Sequence, residues 1–185
     1  MTFLNKDYEV PKSNSNYTKL QDGENTFRVL GSAIVGWQYW TKDKKPVRQK
    51  EVFTETPEDA KLDNGQFKPK HFWAFPVWNY EEKAVQIYEV TQATIQQAIM
   101  ALVKNEKWGD PKGYDISITK TGADLETKYA VMPNPHSELV EGITEAYEAK
   151  KINLDALYKG ENPFGEEKKE DTDGHTSPED LAKDF

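Results

Sequence analysis

The sequence predicts a mainly β fold, built from short strands around one core, with one helix between strands and a second helix after them. Three observations carry this. Short runs rich in Val, Ile, Phe, Trp and Tyr alternate with polar residues. One stretch, 91–105, abandons that alternation for helical spacing. Gly, Pro, Asn and Asp punctuate the segments as turn signals. With 36% hydrophobic and 12% aromatic residues in 185 positions, the chain can bury one core and still carry appended chain.

Residues 1–16 are polar and contain Pro11 and the run Ser13-Asn-Ser-Asn16, which reads as an extended arm. The first strand is 24–30, alternating around Phe27 and Val29. The long connection 31–69 contains a hairpin of its own around 36–53. The second strand, 70–80, is aromatic and β-favouring, and its Pro76 predicts an edge position or a bulge. Its hairpin partner is 84–90. Thr91 reads as the N-cap of a helix whose Ile95, Ile99, Leu102 and Val103 share a face, ending near Asn105 before Gly109 and Pro111. Tyr114, Ile116 and Ile118 alternate in a further strand, Gly122 turns the chain, and 128–132 returns. A final helix is expected over 137–150, with Leu139, Val140, Ile143 and Tyr147 on one side.

This order is that of a five-stranded OB-fold barrel with an enlarged first loop, a helix between strands 3 and 4, and a C-terminal helix. The barrel domain of such a reading is 17–165. The segment 166–185 has no apolar periodicity and reads as a disordered acidic tail.

The formal net charge of -8 argues against a nucleic-acid partner until its distribution is considered. The last twenty residues hold eight acids against three lysines, so the rest of the chain carries only -3. No cysteine is present, which excludes thiolate zinc sites and disulfides, and no cofactor or metal is expected. No apolar stretch is long enough to cross a membrane and the first residues lack a signal-peptide pattern, so a soluble, cytoplasmic protein is expected.

The densest chemical signal is 37–50. Trp37, Tyr39 and Trp40 lie beside Lys42, Lys44, Lys45, Arg48 and Lys50, with a single acid. Single strands are bound by a positive groove that follows the phosphates and by aromatic faces on which bases stack, at about 1–3 kcal/mol per base. A solvated hairpin with Trp37 and Trp40 turned into the core would carry the same residues. The second signal is Lys68-Pro-Lys-His-Phe-Trp-Ala-Phe-Pro-Val-Trp-Asn-Tyr80, which places aromatics on both faces of one strand. If the following hairpin loop is even, Trp73 and Phe75 share a face with Gln86 and Tyr88, a stacking platform, while Ala74, Val85 and Ile87 fill the interior. An odd loop reverses the pairing.

The blocks Tyr17-Thr-Lys-Leu-Gln-Asp-Gly-Glu-Asn-Thr-Phe-Arg-Val-Leu, Gly36-Trp-Gln-Tyr-Trp, Lys45-Pro-Val-Arg, Lys70 to Tyr80, Glu89-Val-Thr-Gln, Trp108-Gly-Asp-Pro and Tyr114-Asp-Ile-Ser-Ile together resemble those of phage and prophage single-stranded DNA-binding proteins with an OB core. The resemblance covers roughly 17–160. It implies a protein that coats and protects single strands during phage DNA replication and recombination; the basic and aromatic residues add the expectation of little sequence preference, and the lack of enzyme motifs that of no enzymatic activity. It further implies contacts through groove aromatics and basic residues, here Trp37, Tyr39, Trp40, Arg48 and Trp73. Some phage relatives with a similar role hold zinc through cysteine and histidine; the absence of cysteine keeps that feature from being carried over. The tail is similar to the acidic, phenylalanine-terminated tails of bacterial and phage single-strand binders, which implies docking of replication or recombination proteins through Asp184 and Phe185.

Two other function classes compete. A Trp-rich carbohydrate-binding module would stack on sugar rings without needing the lysines or the tail, and an acidic DNA mimic would inhibit a host enzyme. Enzyme motifs are lacking: His71 and His136 read as structural, and Glu51, Glu55, Glu58 and Asp59 as a solvated acidic face.

Overall fold

The computed structural model describes residues 15–165. Its chain order is β1 (Gly23–Val29), β2 (Ile34–Trp40), β3 (Pro46–Gln49), β4 (Lys70–Asn79), β5 (Ala84–Val90), α1 (Ala93–Lys104), β6 (Tyr114–Thr121), β7 (Lys128–His136) and α2 (Ile143–Lys150), followed by a 3-10 turn at Leu154–Lys159. The strands form one seven-stranded antiparallel sheet in the order β3-β2-β4-β1-β6-β7, with β5 on the remaining edge of β4. The mainly β class is as expected, but the sheet does not close into a barrel.

Both edges that would have to meet are blocked. On β5, Ile87 turns its backbone outward, where its N–H donates to Asn16 and its C=O accepts from Thr18, both at 2.9 Å. On β7, Pro133 and Pro135 remove donors from the strand, and its pairing with β6 shifts register between Tyr114 and Ile116.

β1 and β2 pair one after the other with the same edge of β4, Val29 opposite Val77 and Ile34 opposite Ala74. Residues 23–40 thus act as one long strand interrupted at 30–33. The interruption explains Pro76, which is neither at an edge nor in a bulge as its sequence suggested. Ile87, its cross-strand partner, directs its polar groups away from β4, so Pro76 faces the β1–β2 gap, where its C=O accepts from Leu30 N at 2.9 Å. A missing donor costs nothing at a gap.

Two cores form, one on each side of β4 and β5. On one face Phe27, Phe75, Val77, Tyr88 and Ile116 lie under Ile95 and Ile99 of α1. On the other, Phe72, Ala74 and Ile87 lie under Leu157, rimmed by Tyr17, Ile152 and Phe164. Each fully buried apolar side chain of this size contributes about 1.5–3 kcal/mol. The β4–β5 loop, 80–83, is even, and Phe75 pairs with Tyr88 and Val77 with Gln86. Of the two registers left open by the sequence this is the even one, but the face it creates is covered by α1. Phe75 and Tyr88 are each only 3% exposed, so they are core residues and not a stacking platform.

The helices also depart from expectation at their starts. The N-cap of α1 is Gln92, not Thr91, and it makes no side-chain cap bond. Gln96 anchors the first turn instead by donating to Val90 O at 2.9 Å and His71 O at 3.2 Å. α2 begins at Ile143 after left-handed Gly142, leaving Leu139 and Val140 outside it. Ser137 cannot open a helix because Arg28, 1% exposed, holds its Oγ at 2.8 Å and its C=O at 3.1 Å.

Candidate nucleic-acid interface

The registers of β2, β3 and β4 divide the predicted aromatics between two faces. Trp37 pairs with His71 and Val35 with Trp73, on the face that continues into the α1 core. Gln38 pairs with Lys70 and with Arg48, and Trp40 with Pro46, on the opposite face. A β-strand alternates sides at every residue, so one run of aromatics cannot serve one surface.

Several predicted contacts are internal. Tyr39 is 8% exposed, stands edge-on to Phe53 at 5.0 Å and Phe67 at 5.5 Å, and donates its hydroxyl to Asp59 Oδ1 at 2.9 Å. Burial, and then the Asp59 bond, push its pKa up. It anchors the loop 50–69 to the sheet. Arg48 is likewise buried: its Nε donates to Gln38 Oε1 at 3.1 Å, its Nη2 meets both Glu89 oxygens at 2.9 Å, and its guanidinium lies over the Phe72 ring. These two, with Phe75 and Tyr88, leave the interface, because each is consumed by packing or pairing. Trp37 is half-buried against His71, with ring centroids 5.2 Å apart. Trp73 packs partly on the α1 core and borders a groove of about 410 Å³ with Val29, Ile99 and Val103.

The end of β2 keeps both ingredients of a strand-binding surface exposed. Trp40, 47% exposed, borders a groove of about 320 Å³ together with Lys61, Lys68, Lys70 and Leu62. β2 brings Trp40 there, and Lys61 N donates to Trp40 O at 2.8 Å, which draws the 59–63 segment alongside. A two-residue turn with left-handed Asn64 and Gly65, closed by paired Asp63 and Gln66 bonds, then returns the chain so that Lys68 and Lys70 line the other wall. Lys68 lies 3.2 Å from Asp63, but both are well exposed, so that pair holds the lysine weakly. Lys42, Lys44 and Lys45 lie exposed in the adjoining β2–β3 turn, where Lys42 Nζ donates to Glu58 O at 2.9 Å. Lys50 is exposed just beyond β3.

Lys61 was not foreseen, since it is brought near by a long-range backbone bridge between Thr41 and Ala60. Lys68 was visible beside Lys70, yet nothing local marked it as facing Trp40. Asp184 and Phe185 lie outside the described residues. Among the described residues no cluster of His, Asp or Glu could hold a metal ion, and no helix is long and apolar enough to cross a membrane. Fold and site together define an open antiparallel β-sheet protein with a basic, tryptophan-bearing groove at one end. Compared with known proteins, the chain matches no family model, no curated protein and no solved structure.

Proposed function

We propose that this protein binds single-stranded DNA without strong sequence preference, through the groove bordered by Trp40, Lys61, Lys68 and Lys70. The observation that carries the reading is the exposed Trp40 ring among three lysines on a chain that is acidic overall. An unpaired base stacks on the indole while the phosphates take the ammonium groups, and neither contact reads base identity. The three lysines of the β2–β3 turn extend the positive wall. A duplex hides its base faces, so it gains only the ionic part.

The reading of the fold as an opened OB arrangement rests on its connections. A long strand (β1 with β2) pairs with β4, β5 follows by a hairpin, a helix intervenes, and β6 returns to the long strand beside β7.

Titration with poly(dT) at two salt concentrations, followed by tryptophan fluorescence, tests the proposal. Binding that quenches fluorescence and weakens steeply with salt is expected. Absence of binding at low salt, or equal affinity for duplex, overturns it.

A further inference from the structure

A second groove, of about 330 Å³, lies on the same face of the sheet as the Trp40 groove. It is lined by Arg48, Gln49, Lys50, Asp155, Tyr158 and Lys159. Gln38 lines the first groove, Arg48 lines the second, and the two are register partners across β2 and β3. The grooves therefore flank one cross-strand pair. From Pro46, opposite Trp40, to Lys50 is four residues of extended chain, about 13 Å.

The second groove has the same kind of lining as the first, an aromatic ring beside exposed lysines, two here against three there. Its ring is held in place. Tyr158 donates its hydroxyl to Val35 O at 2.6 Å, and its ring leans on Phe72 with centroids 6.2 Å apart. The ring is only half-buried, and Lys50 Nζ lies over it at 5.5 Å. The residue that covers the ring is thus an exposed ammonium, which a base can displace and which then stands beside the base's own phosphate. Arg48 between the grooves stays with Glu89 and contributes packing.

We infer that Tyr158, with Lys50 and Lys159, is a second stacking position for the same strand, so that a bound oligonucleotide runs from the Trp40 groove across the Gln38–Arg48 pair onto the 3-10 turn at Leu154–Lys159. The inference rests on the single-strand reading above. It makes the segment after α2, which also covers the second core, part of the binding surface. Asp155 is the one acid in the groove and opposes the phosphates there.

The test uses the intact chain and dT oligomers of increasing length at two or more salt concentrations. Lys50→Ala combined with Lys159→Ala removes two exposed charges and leaves both cores untouched. The salt slope for long oligomers is expected to fall by about 1.4, two phosphates at roughly 0.7 each. The gain in affinity from short to long oligomers should shrink by about tenfold. Asp155→Asn should shift affinity the opposite way. An unchanged slope and unchanged length dependence in the double variant, with wild type binding normally, overturns the second position alone. Failure of wild type to bind any oligomer removes the single-strand reading itself.

Discussion

Gln38 and Arg48 face each other across β2 and β3, and the arginine that bonds the Gln38 amide oxygen at 3.1 Å also holds both oxygens of Glu89 at 2.9 Å. This joins the β2–β3 hairpin to β5 across the Phe72 ring. Arg48 is therefore a structural tie. Arg48→Ala should lose about 3 kcal/mol of stability, because a largely buried carboxylate is left without its partner. Urea unfolding measures this. A variant as stable as wild type that has merely lost DNA affinity would return Arg48 to the interface.

Trp40 and Phe75 should behave oppositely although both are aromatic strand residues. Trp40→Ala is expected to weaken oligonucleotide binding by about 1–3 kcal/mol and to leave stability within about 0.5 kcal/mol. Phe75→Ala should cost about 3–5 kcal/mol of stability through the cavity it opens under α1. Paired thermal melts and binding titrations on the two variants distinguish interface from core.

Tyr88 carries the single buried side-chain polar atom without a hydrogen-bond partner among the described residues, its hydroxyl. Tyr88→Phe removes that hydroxyl and keeps the ring between Phe27 and Phe75. The variant should be at least as stable as wild type, by up to about 1 kcal/mol. A clear fall in Tm would mean that the hydroxyl is satisfied in solution.

Alkaline pH should unfold the protein through its tyrosines. Tyr80 is pushed up to about 12, first by burial and then by its hydrogen bond to Asp115, and Tyr88 is raised by burial. Above pH 10 the unfolded chain releases these protons while the native state keeps them, so stability is full below about 10 and falls as pH rises toward 12. Tyr80→Phe should flatten that fall. Denaturant midpoints across this range decide it; an unaltered slope in the variant would rule Tyr80 out as a contributor.

Gly36 holds the β2–β3 crossing close. A Cβ there would run into the Gln49 carbonyl of β3 and crowd the Phe72 ring at 3.2 Å. Gly36→Ala should destabilise by about 1–3 kcal/mol and, by splaying the hairpin, weaken oligonucleotide binding as well. Retention of both stability and affinity would show that the strands can part without disturbing either groove.

Legible in the chain alone were the properties that a strand or helix carries within its own few residues. Alternation around Phe27 and Val29 places β1, the aromatic run places β4, and the spacing of Ile95 and Ile99 places α1, whereas the pairing of Phe75 with Tyr88 waited on the four-residue loop that the structure shows at 80–83. The concentration of lysines and tryptophans near β2 was likewise legible. The tertiary structure alone decided which of those residues remain exposed. Tyr39 disappears under Phe53 and Phe67, Arg48 is claimed by Glu89 forty-one positions away, and Phe75 is covered by α1, while Lys61 and Lys68 are drawn to Trp40 from a loop with no periodic signal. Periodicity reports that a side chain lies on a face; whether that face meets water depends on which distant segment packs there, and on edges such as Ile87 and Pro133 that kept the sheet from closing.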